Sequence, residues 1–311
     1  MKQVIVLLGP TGVGKTGVSI RLAQLLRTEI ISADSMQVYR GMDIGTAKPS
    51  IAERSGIVHH FIDIVDPSGT FSAGEYLRTV VPVIERLHGQ GKIPVVVGGT
   101  GLYIKAMTRG MFSGPSADED LRAELALKEE AAPGTLYAML READPEAASR
   151  IAENDLRRII RALEVFRKSG AGISVLQKGA TEPLPYDFVK IGLTRERSEL
   201  YRIINERVDA MVADGLAEEV RRLLESMPSR APLQAIGYKE MAQHLEGGIS
   251  LDEAVGLIKR NSRRYAKRQM IWFRREPGIV WVDISGITKQ EEAFEKVRAE
   301  LRRRLPDIPE A

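Results

Sequence analysis

The feature that most constrains the fold is a segment near the N-terminus, which reads VIVLLGPTGVGKT over residues 4–16. Its first part, Val4–Leu8, is an unbroken apolar run and predicts a strand that is buried on both faces. Residues 9–16, the phosphate loop, then match G-x-x-x-x-G-K-[ST], which binds phosphate groups between a strand and a helix. The combination predicts an α/β protein with a P-loop NTPase-like parallel sheet flanked by helices.

The residue types in the phosphate loop each have a physical role. Gly9, Gly12 and Gly14 allow the backbone to turn so that several N–H groups converge on one anion. Lys15 brings a positive charge to the terminal phosphate, and the Thr16 hydroxyl can bind Mg²⁺. The motif does not determine which di- or triphosphate is bound. The predicted diphosphate-binding residues are Gly9, Pro10, Thr11, Gly12, Val13, Gly14, Lys15 and Thr16.

Composition excludes several other kinds of site. The chain has 311 residues, no cysteine and four histidines, so disulfides, thiolate metal sites and thiol nucleophiles are absent. No apolar run approaches the roughly 20 residues of a membrane helix. The N-terminus runs directly into a predicted core strand, so no signal peptide is expected. These observations favour a cytoplasmic enzyme with no membrane partner. We expect it to be a monomer.

A carboxylate follows the second predicted strand. Glu29–Ser32 ends just before Asp34, and ligands of open parallel sheets bind at the carboxyl ends of the strands. We therefore expect Asp34 to lie beside the phosphate loop, although a helix cap or an ordinary loop carboxylate is the alternative. The polar, glycine-containing loop 34–49 is of the kind that often carries function. Phe61–Val65 is predicted to be a further strand.

A glycine-rich loop follows the predicted strand Ile93–Val97. An ATPase usually carries an acidic residue at this point to hold Mg²⁺, whereas here residues 98–101 read GGTG. Thr100 could hydrogen-bond a ligand, or the loop could be a simple turn into a helix. Asp63 and Asp66 remain weak candidates for an acidic partner of the metal.

The middle of the chain has a different character. Ser116–Glu119 has a capping-box pattern, and the sequence from there to about Lys178 is helical in pattern throughout. Phe188–Leu193 then returns to strand character, which predicts an all-helical insertion into the α/β core. The predicted domains are a core of residues 1–115 and 185–311 and an insertion of residues 116–184.

A predicted helix in the C-terminal part of the chain is strongly basic. It opens with a capping box at Ser250 and Glu253, and residues 259–275 contain eight lysines and arginines and no acidic residue. Such a run is commonly a solvated helix face, but it also attracts phosphate backbones. Because residues 157–167 of the insertion are arginine-rich as well, we predict that the two helices bind nucleic acid.

The motifs in this order resemble the tRNA dimethylallyltransferase family in its bacterial form, because the chain has no cysteines for a zinc finger. The resemblance extends over nearly the whole chain, and the block at 34–49 is its most specific part. The segments that carry it are GPTGVGKT at 9–16, DSMQVYRGMDIGTAKP at 34–49, GGT at 98–100, ND at 154–155, RALEVF at 161–166, IGY at 236–238, YAKRQ at 265–269 and WFR at 272–274.

The resemblance implies a reaction. A dimethylallyl group would pass from dimethylallyl diphosphate to the exocyclic N6 of the adenosine on the 3′ side of the tRNA anticodon, with release of pyrophosphate. The phosphate loop would then hold a prenyl diphosphate, which agrees with the missing acidic residue after Val97. The insertion and the basic surfaces would hold the anticodon stem-loop, and the target base would be extruded into a pocket.

The resemblance also implies roles for individual residues. Asp34 would accept the N6 proton as general base. Lys15, Thr16 with Mg²⁺, the loop amides and Arg207 would stabilise the departing diphosphate, and Thr100 would help to seat the nucleotide. The implied tRNA contacts are Ser35, Met36, Gln37, Val38, Thr100, Arg122, Arg157, Arg158, Ile159, Ile160, Arg161, Gln234, Ala235, Ile236, Gly237, Tyr238 and Lys239. For Arg122 and Arg207 the alternative is a surface ion pair.

Three other functions stay open at this point. The first is a small-molecule kinase that uses ATP on the same kind of fold. The second is a prenyltransferase that acts on free adenine nucleotide and has no need of two arginine-rich helices. The third is a nucleic-acid-binding ATPase without transfer chemistry.

Overall fold

Six parallel strands form one sheet in the computed structural model, which describes residues 2–112, 114–179, 182–306 and 308–309. Their spatial order is β3-β2-β4-β1-β5-β6, which confirms the predicted parallel α/β sheet. The strands are β1 (Gln3–Leu8), β2 (Ile30–Ser32), β3 (His59–His60), β4 (Val95–Gly98), β5 (Asp187–Thr194) and β6 (Ile279–Asp283).

Helices account for most of the remaining regular structure. Capping boxes close the N-termini of α2 and α13, and the one at Ser250 and Glu253 was predicted. The helices are α1 (Lys15–Leu25), α2 (Ala73–Gly89), α3 (Gly101–Arg109), α4 (Glu119–Ala131), α5 (Thr135–Ala143), α6 (Pro145–Arg150), α7 (Leu156–Ser169), α8 (Ile173–Gly179), α9 (Arg197–Ala213), α10 (Leu216–Glu225), α11 (Arg230–Leu233), α12 (Tyr238–Leu245), α13 (Leu251–Phe273) and α14 (Gln290–Arg302).

Strand β1 is the centre of the sheet and of its core. Val4–Leu8 is fully buried, as the apolar run predicted. The register pairs Leu8 with Gly98 of β4 and with Gly192 of β5, while Ser32 of β2 pairs with Val97. The carboxyl ends of β1, β2 and β4 therefore meet at one edge, where the loops that follow them can share a ligand.

Two local predictions were wrong. Phe61–Val65 is not a strand, because β3 ends at His60 and both Phe61 and Asp63 adopt left-handed backbone conformations. Phe61 instead packs edge-on against Tyr76 of α2. The capping box predicted at Ser116 is also wrong, because α4 begins later and Asp118 caps it by accepting the N–H of Leu121.

The chain divides into two compact units. The first consists of Met1–Lys105 and Pro185–Ala311 and contains the sheet. The second, Ala106–Leu184, ends where the predicted insertion ends and begins before its predicted start at residue 116. Its helices α4 to α8 enclose their own core, which includes Leu125, Leu140 and Leu163. Within the described residues, no helix combines the length and the hydropathy of a membrane span.

Candidate active site

The phosphate loop is fixed by two neighbouring elements of the first unit. A Cβ at Gly9 would lie 2.8 Å from the carbonyl oxygen of Leu193 in β5, and one at Gly12 would lie 2.9 Å from Ile204 in α9. Both glycines have positive φ, so a side chain would be strained as well as crowded. The loop therefore needs glycine at these two positions to pack against the sheet and α9.

Lys15 curls back over this loop. Its Nζ donates to the carbonyl oxygens of Gly9 and Pro10, each at 2.9 Å. Burial lowers the pKa of Lys15 to about 8; the charge of Arg207 adds to this effect and that of Asp34 opposes it. The Lys15 side chain is therefore partly dehydrated, and a bound anion would favour its charged form.

Asp34 lies within electrostatic range of Lys15 and Arg207, as its position after β2 predicted. Its Oδ1 accepts the backbone N–H of Met36 at 2.9 Å and of Gln37 at 3.3 Å. Among the described residues, Oδ2 accepts no hydrogen bond. One oxygen thus orients the carboxylate while the other is available to a ligand.

Thr100 is adjacent to Asp34 in the structure. Its hydroxyl oxygen accepts the backbone N–H of Ser35 at 3.0 Å, and its own N–H donates to the carbonyl oxygen of Ala33 at 3.1 Å. The glycine-rich loop after β4 is therefore joined to the start of loop 34–49. This arrangement brings Thr100 to the same edge as Lys15.

Arg207 reaches the site from α9. It follows Leu200 and Ile204 at helical spacing, and those two side chains pack against Gly12. Burial lowers the pKa of Arg207, and the charge of Asp34 opposes that effect. Its Nη2 donates to the carbonyl oxygen of Thr46 at 3.5 Å. The described chain offers Arg207 no ion pair, so the surface-pair alternative receives no support.

Gln269 is a site residue that the sequence analysis did not assign a role. It is buried on α13, where its Oε1 accepts the N–H of Thr11 at 2.8 Å and its Nε2 donates to the carbonyl oxygen of Gly99 at 2.9 Å. A signal was present: a glutamine stands between Tyr265 and Trp272 on the face that packs inward. The ring of Trp272 lies 2.6 Å from where a Cβ of Gly101 would be.

The opposite face of α13 is an uncompensated positive surface. Lys259 pairs with Asp209 and Arg263 donates to Asn205, each at 2.5 Å. The other six cations of this helix and its C-terminus are exposed, and the described part of the chain gives them no acidic partner. This basic face consists of Arg260, Arg264, Lys267, Arg268, Arg274 and Arg275.

A family model described as IPP transferase matches residues 37–276. The chain belongs to this family. A tRNA dimethylallyltransferase of Thermodesulfovibrio yellowstonii is 56% identical over 292 residues, which cover 92% of this chain and 93% of that protein. A tRNA dimethylallyltransferase of Symbiobacterium thermophilum is 48% identical over 305 residues, which cover 97% and 96%. The resemblance found in the sequence is thereby confirmed.

Solved structures match the chain as well. The full-length tRNA isopentenylpyrophosphate transferase of Bacillus halodurans is 42% identical, with a TM-score of 0.73 over 99% of this chain and 98% of that one. A eukaryotic dimethylallyltransferase described as acting on tRNA is 31% identical, with a TM-score of 0.83 over 99% of this chain and 81% of that one. These matches agree with the parallel sheet described above.

The predicted tRNA contacts in the first unit differ in exposure. Ser35, Met36 and Gln37 are half-buried, whereas Val38 is fully buried. Exposure also varies within the segment 234–239. Gln234 and Lys239 are exposed, Ala235 and Ile236 are half-buried, and Gly237 and Tyr238 are buried.

The predicted contacts in the second unit separate into exposed and internally paired residues. Arg157 and Arg158 are exposed on α7, while Ile159 is fully buried and Ile160 packs against the core of this unit.

Arg122 and Arg161 both bind the carboxylate of Glu164, which is 0% exposed. Arg122 donates to it through Nε at 2.9 Å and Nη2 at 3.1 Å. Its Nη1 also donates to Glu119 at 3.0 Å, so three of the five N–H donors of Arg122 are occupied within the second unit, as the ion-pair alternative predicts.

The residues near the phosphate loop fit a magnesium ion only together with a phosphate ligand. Thr16 is exposed at the start of α1, and the described residues contain no group of three or more His, Asp or Glu that could hold a metal. Asp63 instead pairs with Lys48 at 2.5 Å, and Asp66 accepts from Ser68. Mg²⁺ commonly takes few protein ligands and completes its shell with phosphate oxygens and water, which suits this arrangement.

Proposed function

We propose that the chain transfers a dimethylallyl group from dimethylallyl diphosphate to N6 of the adenosine 3′-adjacent to the tRNA anticodon and releases pyrophosphate. The observation that carries this proposal is the placement of Asp34 beside Lys15 and Arg207 in a member of the IPP transferase family. One carboxylate with a free oxygen and two cations are the groups that an alkyl transfer from a diphosphate requires.

The donor diphosphate binds in the phosphate loop. As the bond between C1 of the dimethylallyl group and the diphosphate oxygen breaks, negative charge grows on the leaving group and positive charge spreads over the allyl carbons. Lys15, the loop amides and Arg207 stabilise the departing pyrophosphate, which is the largest electrostatic demand of the reaction. Mg²⁺ held by Thr16 and the phosphates would neutralise part of the same charge.

The acceptor is the exocyclic amine of an extruded adenine. The N6 lone pair forms the new bond to C1, and the proton that N6 then loses passes to Oδ2 of Asp34. Because Oδ1 is held by the N–H groups of Met36 and Gln37, the carboxylate keeps its orientation during the transfer. Thr100, fixed against Ser35, helps to seat the nucleotide.

The basic face of α13 supplies affinity for the RNA. Its cations lack acidic partners in the described chain, so they are available to the phosphates of an anticodon stem-loop. Arg157 and Arg158 of the second unit are exposed as well, and Arg158 also pairs with Asp155 at 3.4 Å. This surface favours tRNA over free adenine nucleotide as acceptor. The GGT sequence at the end of β4, where an ATPase usually carries its acidic Mg²⁺ partner, argues against the kinase and ATPase alternatives.

A three-arm assay tests the proposal. The chain is incubated with Mg²⁺ and dimethylallyl diphosphate labelled in the alkyl group, together with unmodified tRNA, with adenosine monophosphate, or with ATP alone. We expect label in the tRNA and none in the nucleotide. Label in adenosine monophosphate supports the free-nucleotide enzyme, and hydrolysis of ATP without alkylation supports an ATPase or a kinase.

A further inference from the structure

One buried carboxylate holds the back of loop 34–49. Glu219 of α10 is 3% exposed, and its two oxygens accept four hydrogen bonds. Oε2 accepts the backbone N–H groups of Asp43 at 2.9 Å and Ile44 at 2.7 Å. Oε1 accepts the N–H of Gly45 at 3.0 Å and the hydroxyl of Tyr238 at 2.6 Å. Only a carboxylate, which has acceptors and no donor, satisfies four converging donors.

The ring of Tyr238 packs against Gly45, one of the residues that Glu219 holds. The ring is 1% exposed and lies 2.4 Å from where a Cβ of Gly45 would be, so only glycine fits there. Burial and the neighbouring Glu219 raise the pKa of Tyr238, which keeps its hydroxyl a donor. Gly45 is therefore fixed through its backbone N–H and through the ring packed on its Cα.

Glu219 and Tyr238 thus form a clamp that holds residues 43–45. The next residue, Thr46, borders the active site. The carbonyl oxygen of Thr46 accepts from Nε2 of Gln37 at 3.4 Å and from Nη2 of Arg207 at 3.5 Å. The backbone N–H of Gln37 in turn donates to Asp34. The position of Thr46 therefore affects the cation and, through Gln37, the carboxylate of the site.

We propose that Glu219 is a positioning residue, which together with Tyr238 fixes residues 43–45 so that the carbonyl of Thr46 orients Arg207 toward the donor diphosphate. This inference rests on the proposed function. It gives the Tyr238 side chain a role inside the protein, where its hydroxyl and ring are both engaged, in place of a direct contact with tRNA.

The test compares two neighbouring glutamates. In Glu219→Gln the amide NH₂ faces backbone donors, so one or two of the four hydrogen bonds are lost. Glu218→Gln makes the same change of charge on an exposed side chain. We expect Glu219→Gln to weaken inorganic pyrophosphate binding and to lower kcat/KM for dimethylallyl diphosphate by about 10- to 100-fold. Glu218→Gln should match the wild type in both measurements.

Combination with Arg207→Ala distinguishes positioning from general destabilisation. If Glu219 acts through Arg207, the effect of Glu219→Gln should shrink to less than about threefold when Arg207 is already alanine. Wild-type values for Glu219→Gln, or an equal loss in both backgrounds, would overturn the inference.

If Glu219→Gln does not fold, Tyr238→Phe removes one hydrogen bond and retains the ring on Gly45. We expect about a threefold to tenfold loss in pyrophosphate affinity that again depends on Arg207, and wild-type affinity would overturn the inference. Because pyrophosphate binding requires no transfer, a wild-type chain that fails to alkylate tRNA contradicts the proposed function while the clamp is still tested.

Discussion

The side chain of Gln269 accepts the backbone N–H of Thr11 at 2.8 Å, so the basic helix α13 is joined directly to the phosphate loop. The same side chain donates to the carbonyl oxygen of Gly99, the residue after β4. One face of α13 thus holds the loops of the proposed donor site, while its other face carries the cations proposed to bind RNA. The groups proposed to bind the acceptor and the donor are therefore carried by the same helix.

Gln269→Glu tests this connection with almost no change in shape. The variant keeps an acceptor for Thr11, but it loses the donor to Gly99 and adds a negative charge near the diphosphate. Because a buried carbonyl is left unpaired at a cost of about 1–3 kcal/mol, we expect the Kd for pyrophosphate to rise at least about tenfold. Titration calorimetry measures this, with the exposed Gln243→Glu as control. Unchanged pyrophosphate affinity would remove Gln269 from the site.

Asp34→Asn tests the general base. Asparagine retains an oxygen for the N–H groups of Met36 and Gln37 but accepts a proton poorly at neutral pH. We expect single-turnover transfer to fall by about 10²- to 10⁴-fold with little change in tRNA affinity. Asp187→Asn, at the opposite end of the sheet, should leave the rate unchanged. Transfer by Asp34→Asn near the wild-type rate would show that another group takes the proton.

The pKa of Lys15 predicts how diphosphate binding depends on pH. Below its pKa of about 8 the free protein carries the ammonium, and above it the charge is lost. A bound anion raises this pKa, so affinity should fall as pH rises beyond 8, by up to about tenfold per unit.

The dependence on Lys15 is isolated by comparison with Lys15→Arg, which stays charged throughout and corrects for ionisation of pyrophosphate itself. We expect the ratio of the wild-type Kd to the Lys15→Arg Kd to be constant from pH 6.5 to about 7.5 and to increase steadily up to about pH 9.5. A ratio that stays flat across this interval would show that Lys15 does not lose its proton there.

Charge reversal on the basic face of α13 tests RNA binding. We expect Arg264→Glu combined with Lys267→Glu to weaken tRNA binding and to reduce the slope of log K against log salt by roughly one to two units. Arg303→Glu combined with Arg304→Glu changes the net charge equally on exposed residues beyond α14. Equal effects of the two pairs on tRNA affinity would indicate that only net charge matters.

In the second unit, Arg122 and Arg157 should differ in what they contribute. Arg122→Ala leaves the buried carboxylate of Glu164 with fewer partners, so we expect a loss of about 3 kcal/mol in the free energy of unfolding. Arg157→Ala should change stability by less than about 0.5 kcal/mol and weaken tRNA binding instead. Denaturant titration and filter binding measure the two effects, and the reverse pattern would contradict these assignments.

The parts predicted from sequence are those that local physics determines. The apolar run of β1, the phosphate loop and α1 follow one another without a gap, and the edge rule for parallel sheets placed Asp34 beside Lys15. The hydrogen bonds from Gly45 to Glu219 and from Thr11 to Gln269, in contrast, join residues that are 174 and 258 positions apart in the chain. No periodicity or motif marks such pairs, because a buried Glu or Gln is stabilised by partners that only the fold brings together.

Local errors have a similar origin. Phe61–Val65 has the composition of a strand, yet packing of Phe61 against Tyr76 outweighs β propensity at the edge of the sheet. At the start of α4, the cap is Asp118 and not Ser116, because the Asp118 carboxylate accepts the N–H of Leu121. Both outcomes depend on neighbours that lie outside the pattern.

Nucleoside analysis of unmodified tRNA, after incubation with the chain, Mg²⁺ and dimethylallyl diphosphate, tests the proposed reaction itself. We expect N6-dimethylallyl adenosine at one position, immediately 3′ of the anticodon, and its loss with Asp34→Asn. Unmodified tRNA from a folded wild-type chain that binds pyrophosphate, or alkylation scattered over other adenosines, would contradict the proposed reaction.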